Sequence, residues 1–245
     1  LTPTTPSRTQ AERADQTRSR ILDAAIREFS SSGLAGARTE RIAETAGVNK
    51  ALLYYYFHGK QAMYTAALET LAESVQAASM AVLDSDLSAG ERFLQLVLNH
   101  FDRIHSNERF QSLMQQEMIR MHRGEDNAMT PLAEKLFRPL WLRVKAVVEE
   151  GIATGELIQA EWAQMIYAGL GANVFYFLSA PMTRLSLGFD PLQRGALEFR
   201  RKAAIEYLGK AIFIDRAYGS RLASRVLAET PMPETSLAAL WEKKV

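Results

Sequence analysis

The chain has 245 residues, 47% of them apolar and 23% charged, with 29 Lys+Arg against 28 Asp+Glu and a formal net charge of +1. That length fits one or two domains, and the apolar share is enough to bury a core without staples. The lack of cysteine excludes disulfides, thiolate metal sites and cysteine nucleophiles, while the near-neutral balance excludes a globally basic nucleic-acid coat protein, so charge placement matters more than total charge.

The first ten residues are rich in Thr, Pro and Ser and contain no apolar run of the signal-peptide kind, and residues 1–16 read as a disordered leader on the cytoplasmic side. From Thr17 the apolar residues Ile21, Leu22, Ala25, Ile26 and Phe29 mark one helix face, which runs out in Ser30, Ser31, Ser32 and Gly33. A short second helix is expected from Thr39, with its hydroxyl as cap, through Ile42, Ala43 and Ala46 to Gly47. Asn49 caps a third over Lys50 to Phe57, and His58, Gly59 and Lys60 break the pattern before a long helix through Met63, Leu68, Leu71 and Val75.

Ser88 and Glu91 form a capping box that opens a helix from Arg92 to about His105, and Gly124 ends the next. Thr130 and Pro131 read as the cap and first turn of another, with a kink between Lys135 and Pro139 and a stop near Gly151 or Gly155. Residues 162–183 carry no formal charge, a length sufficient to cross a bilayer. Gln164, Asn173 and Ser179 interrupt that run, Gly169 and Gly171 weaken it, and Pro181 is expected to end it, so Glu161 to Ala180 reads as a helix buried in a protein interface. Asp190 with Pro191 opens a further helix carrying Leu197, Phe199, Ile205, Leu208 and Phe213, and the tail holds Pro231 and Pro233. Helical period dominates and alternating strand patterns are missing, which makes the chain all-α.

The stretch Thr39 to Lys60, TERIAETAGVNKALLYYYFHGK, carries the functional signal. Two short helices joined by a Gly-containing turn form a helix-turn-helix, and Ile42, Ala46, Val48, Leu53 and Tyr56 can converge on one small core, with Ala43 small at the crossing. Turning Leu53 and Phe57 inward leaves Lys50, Ala51, Tyr54 and Tyr55 outside on the half of the helix that would meet DNA. Lys50 can donate to guanine or phosphate, Ala51 and Leu52 offer apolar contact to a thymine methyl, and Tyr54, Tyr56 and Lys60 suit phosphate oxygens. Thr39, at a helix N-terminus, also favours phosphate. Residues 1–60 hold nine Lys+Arg against six Asp+Glu, a local excess of the right sign. By spacing alone the same pattern also fits a plain helical hairpin whose tyrosines belong to a core or an interface.

The run IAETAGVNKALLYYYFHGKQAMY resembles the N-terminal helix-turn-helix of the TetR/AcrR family of bacterial transcriptional regulators, over roughly Arg18 to Met63. The resemblance implies DNA contacts at Thr39, Lys50, Ala51, Leu52, Tyr54, Tyr55, Tyr56 and Lys60, and core positions at Ile42, Ala43, Gly47, Val48, Leu53 and Phe57. Tyr56 stands where His is frequent, and Leu52 where a small or polar residue is common. The implied architecture is an all-α chain with a helix-turn-helix DNA-binding domain over residues 17–62 and a larger helical effector-binding and dimerisation domain over residues 63–245. Its partners would be a palindromic double-stranded DNA operator, a second copy docked through helices 161–180 and 191–218, and a small, largely apolar effector. The family default is a cytoplasmic repressor released by its ligand.

Large, soft or aromatic groups that could line an effector pocket are Phe101, Met114, Met118, Met121, Phe137, Trp141, Phe175 and Tyr176, with His100, Glu117 and Asn173 as polar anchors; the same stripes also fit plain core. An enzyme is not expected. Gly169 and Gly171 lack the third glycine and preceding strand of a dinucleotide site, and no Walker or GxSxG motif occurs. His58, His100, His105 and His122 lack zinc-type spacing, so neither a metal nor a cofactor is expected. A helical interaction or membrane-surface protein would explain the apolar helix but not the helix-turn-helix.

Overall fold

The computed structural model describes residues 9–125 and 128–234, and the regular elements among them are helical. In chain order they are α1 (Gln10–Gly36), α2 (Thr39–Ala46), α3 (Lys50–Phe57), α4 (Lys60–Leu83), α5 (Ala89–Ser106), α6 (Glu108–His122), α7 (Met129–Leu132), α8 (Arg138–Ala153), α9 (Trp162–Ile166), α10 (Ala172–Leu187), α11 (Arg194–Ala211) and α12 (Arg216–Glu229). The all-α reading holds.

Several boundaries differ from the sequence reading, each for a local reason. α1 begins at Gln10 rather than Thr17 because Thr9 and Glu12 form a capping box, with the Thr9 amide donating to Glu12 Oε2 at 2.8 Å. Residues 10–16 are therefore helical; residues 1–8 of the expected leader and 235–245 of the tail lie outside the described residues. Gly33, with φ 67°, breaks the helix where expected, and a short turn continues to Gly36. Thr130 does not cap α7, whose N-cap is Ala128 without a side-chain bond. Pro139 is accommodated by a π-helical turn over Ala133–Phe137, which loosens the turn that the ring would otherwise strike.

Pro181 does not end its helix. α9, a π-helical turn at Tyr167–Gly171 and α10 follow without interruption, and the chain leaves at Gly188 in the left-handed conformation (φ 69°), its amide donating to Arg184 O at 3.2 Å. α11 starts at Arg194, since Asp190 Oδ1 takes the Leu192 amide at 2.9 Å and holds residues 190–193 in a turn. The expected helix 191–218 is likewise broken: α11 ends at Ala211, and Phe213 pairs with Leu157 in an isolated bridge.

The chain divides into two units, residues 1–74 with 109–133 and residues 75–108 with 134–245. The first groups α6 and α7 with α1–α3 and the start of α4, a larger body than residues 17–62. Its core includes Ile21, Phe29, Ile42, Leu53, Met63 and Tyr64, all fully buried. Phe29 and Tyr64 meet edge to face at 5.0 Å. Glu117, at 0% exposure, accepts from the Tyr64 hydroxyl (2.9 Å), Arg120 Nη1 (2.7 Å) and the Ala128 amide (2.9 Å), so its buried charge is fully paired.

In the second unit α5 packs against α8, α10, α11 and α12. Phe93, Leu94, Val97, Val147, Leu157, Phe213 and Val226 form its core. α11 and α12 cross at Gly209 and Gly219, where a Cβ on Gly219 would stand 2.1 Å from Gly209 O. Arg201 forks onto both oxygens of Asp102 at 2.7 Å and also donates to Thr230 O at 2.7 Å. These contacts fold residues 216–230 back onto the second unit.

Candidate nucleic-acid interface

Two short helices and a tight turn position the site. Gly47 is left-handed (φ 65°, ψ 40°), and the Val48 amide donates to Ala43 O at 3.0 Å, closing α2 in a reverse turn that a Cβ would strain. Asn49 caps α3, its Oδ1 accepting the Leu52 amide at 2.7 Å. At the far end His58 (φ 54°) and Gly59 (φ 135°) turn the chain out of the helix. The α2 cap differs from expectation: Arg38 is the N-cap, while Thr39 already lies inside the helix, largely buried, its hydroxyl donating to Glu40 Oε2 at 3.4 Å.

α3 has two distinct faces. Leu53 and Phe57 are buried, whereas Lys50, Ala51, Tyr54 and Tyr55 are exposed, with Tyr55 73% and Tyr54 41% open. Leu52 and Tyr56 are half-buried at the margin, and Tyr55 meets Tyr56 edge to face at 5.4 Å. Lys50 pairs with Glu40 and lies 5.9 Å from the centroid of the Tyr54 ring. Its hydrogen bond to Lys50 lowers the Glu40 pKa, and the carboxylate in turn raises that of Lys50. Lys60 is turned back toward its own unit, donating to Ala35 O at 3.1 Å. The sequence reading missed Glu40; its position in the first turn of α2 was visible, but its reach to Lys50 depends on the angle between helices.

The model of the bacterial regulatory proteins of the tetR family matches residues 21–67, and that of the tetracyclin repressor-like C-terminal domain matches residues 90–208. The chain belongs to the TetR family. Among curated relatives, the transcriptional repressor NicS of Pseudomonas putida is 38% identical over 86 residues, 35% of this chain and 40% of the relative. The regulator RutR of Escherichia coli is 51% identical over 51 residues, 21% of this chain and 24% of its own. The aligned part thus spans well under two thirds of these relatives. Among solved structures, a transcriptional regulator from Saccharomonospora viridis in complex with choline shares the fold at TM-score 0.65 and 16% identity, covering 81% of this chain and 98% of that one. Bacillus subtilis FadR in complex with stearoyl-CoA does so at TM-score 0.60 and 16% identity, covering 78% and 96%.

In the second unit of this TetR-family chain, part of the expected effector set comes together. Phe101 of α5 lies 6.2 Å from Tyr176 and 5.1 Å from Phe177 of α10, ring centre to ring centre. Asn173, fully buried, donates to Val97 O at 3.0 Å and leaves Oδ1 without a hydrogen-bond partner; buried His100 Nδ1 also lacks one. Burial, with Arg103 nearby, pushes the His100 pKa down to about 4, so the ring is neutral at physiological pH. The sequence reading missed Phe177 and Arg200, whose guanidinium stands 5.5 Å from the Tyr176 ring. Phe137 is half-buried, and Trp141 is 38% exposed.

Of the remaining candidates, Met114, Glu117, Met118 and Met121 belong to the first unit. Glu117 is saturated by donors in the first unit, so it is not a free polar anchor, and Met114 is buried in that unit. Met118 and Met121 are exposed, and Phe175 is 69% open to solvent. Phe175 belongs instead to an apolar surface with Tyr167, Leu178, Met182 and Leu185, while Phe199 and Tyr207 project from α11. The stretch read as a buried helix is therefore largely exposed in one copy of the chain. Trp162–Leu187 is also the helix, among the described residues, that is long and apolar enough to cross a membrane.

Proposed function

We propose that the protein is a cytoplasmic DNA-binding transcriptional repressor that acts as a homodimer on a palindromic operator and is released by a small effector. The observation that carries this reading is the exposed Lys50, Ala51, Tyr54 and Tyr55 face on a capped α3 whose opposite side is anchored by Leu53 and Phe57. Thr39, Leu52, Tyr56 and Lys60 complete the proposed contacts: half-buried Leu52 and Tyr56 flank the reading face, Thr39 lies in the first turn of α2, and Lys60 reaches phosphate by releasing Ala35 O. The apolar surface of α10 and α11 supports the dimer, because burying it against a second copy removes it from water. Two reading helices would then address half-sites about one DNA turn, ~34 Å, apart.

The proposed effector site comprises Phe101, Tyr176 and Phe177, a reading supported by their ring contacts and by the unsatisfied polar atoms of His100 and Asn173. A ligand that fits one arrangement of these rings better than another shifts the population toward the form with lower operator affinity. Fluorescence polarisation with duplex DNA from upstream of its own gene, repeated from low to high salt, tests the function. Tight binding to that duplex over an unrelated one, with a steep loss as salt rises, is expected. Equal, salt-insensitive binding to both would refute it. The exposed apolar helix also fits a membrane-surface protein; a monodisperse dimer in detergent-free buffer, with no uptake by lipid vesicles, excludes that reading.

A further inference from the structure

α1 starts at Gln10, whereas the match to the family's N-terminal model starts at Ile21. The residues before Ile21 form about three helical turns, roughly 16 Å. They present Arg13, Gln16, Thr17 and Arg20 on one side, at spacings of three, four and seven residues, with Arg13, Gln16 and Arg20 exposed. Glu12 is occupied by the cap at Thr9, and Asp15 projects from a different side of the helix. Two further contacts fix this extension beside the reading helix. The Arg18 guanidinium lies 5.2 Å from the Phe57 ring centroid, and Arg20 Nη1 lies 3.7 Å from where a Cβ on Gly47 would stand. The helix thus passes the turn that precedes α3 and the residue that ends it.

We infer that this extension of α1 is a second nucleic-acid contact, with Arg13 and Arg20 taking phosphate oxygens of the duplex that α3 reads. The two arginines are about 10 Å apart along the helix axis, too far to share one phosphate and suited to two. Contacts of this kind add affinity and salt dependence without adding sequence preference. The inference rests on the DNA-binding reading above and gives this chain a wider backbone footprint than its helix-turn-helix alone.

The test uses the full chain, the upstream duplex and an unrelated duplex of equal length, with binding measured between 50 and 200 mM salt. Arg13→Ala is expected to weaken both duplexes by a similar factor and to flatten the log–log salt slope by roughly one unit per subunit; Arg13→Ala with Arg20→Ala should flatten it by roughly two. Arg13→Lys, which keeps the charge, should restore the slope. Arg13 is exposed and away from the Gly47 turn, so its variant separates a phosphate contact from damage to the fold, with far-UV circular dichroism as the check. An unchanged slope in a normally folded Arg13→Ala, with the parent binding its duplex, overturns this inference alone. A parent that binds neither duplex overturns the DNA-binding reading and this inference with it.

Discussion

Two surfaces of this protein expose large side chains to water, and they differ in chemistry. On α3 the tyrosines carry hydroxyls, and Tyr54 stands beside a lysine held by Glu40. On α10 and α11, Phe175, Leu178, Met182, Leu185 and Phe199 form a surface of predominantly apolar side chains. On the proposed reading the first surface meets a polar, charged partner and the second a copy of the chain. Exposure alone does not separate them. The charge placed among the rings does.

The sharpest contrast lies within one sequence segment. Phe199 and Phe213 are both phenylalanines of the stretch expected to form a dimer helix, yet Phe199 is 75% exposed and Phe213 is 1% exposed, packed on Gly90 and Tyr218. Phe213→Asp should therefore unfold the second unit, costing at least ~4 kcal/mol through a cavity and a buried charge. A thermal melt reads this as loss of the cooperative transition at physiological temperature. A well-folded monomer from Phe213→Asp would move that residue to the interface.

Phe175→Arg with Phe199→Asp should do the opposite, leaving helicity and thermal stability of the monomer nearly intact while separating the copies. Losing two central apolar anchors at about 2 kcal/mol or more each weakens dimerisation by a factor on the order of a thousand or more. Sedimentation velocity should show the monomer at micromolar concentration, with operator binding lost in step. An unchanged dimer would place the contact elsewhere.

What the sequence revealed follows from how local each signal is. Gly47, Asn49, Ser88 and Gly188 act through neighbours within a few residues, and where the sequence reading used them, at Gly47, Asn49 and Ser88, it placed the turn or cap correctly. Thr9 and Glu12 carried an equally local capping box, but the Thr- and Pro-rich composition around them hid it. Contacts between distant residues left no such trace. Glu117 meets Tyr64 across 53 positions and Arg201 meets Asp102 across 99, so Glu117 read as a pocket acid and Arg201 drew no notice. Phe213 failed for the same reason: a buried and an exposed phenylalanine look alike until the chain around them is folded. On α3, where residues within one short helix set both faces, the exposed candidates were legible.

Lys50 sharpens the polar side of the comparison. If it reads a base, Lys50→Ala should cost about 1–3 kcal/mol for the cognate duplex and level the preference at one position of each half-site. Binding to unrelated DNA should change little. A uniform loss across all sequences would make Lys50 a phosphate contact instead, measurable by competition with single-base variants of the operator.

Glu40 gives the smallest effect. Its carboxylate pairs with Lys50 in the free protein, and both groups are well exposed, so the pair itself adds little to stability. In the proposed complex the same carboxylate would oppose the phosphates that the reading helix approaches, while in the free protein it pairs with Lys50. Glu40→Gln should therefore tighten binding to unrelated duplex by a few-fold at low salt, an advantage that fades as salt screens the field. Discrimination between operator and unrelated duplex should fall by a similar factor, because a lysine freed from its partner contacts phosphate as readily as a base edge. If affinity for unrelated DNA stays constant while the operator alone is lost, Glu40 is itself a reader, accepting from a cytosine amino group rather than restraining Lys50.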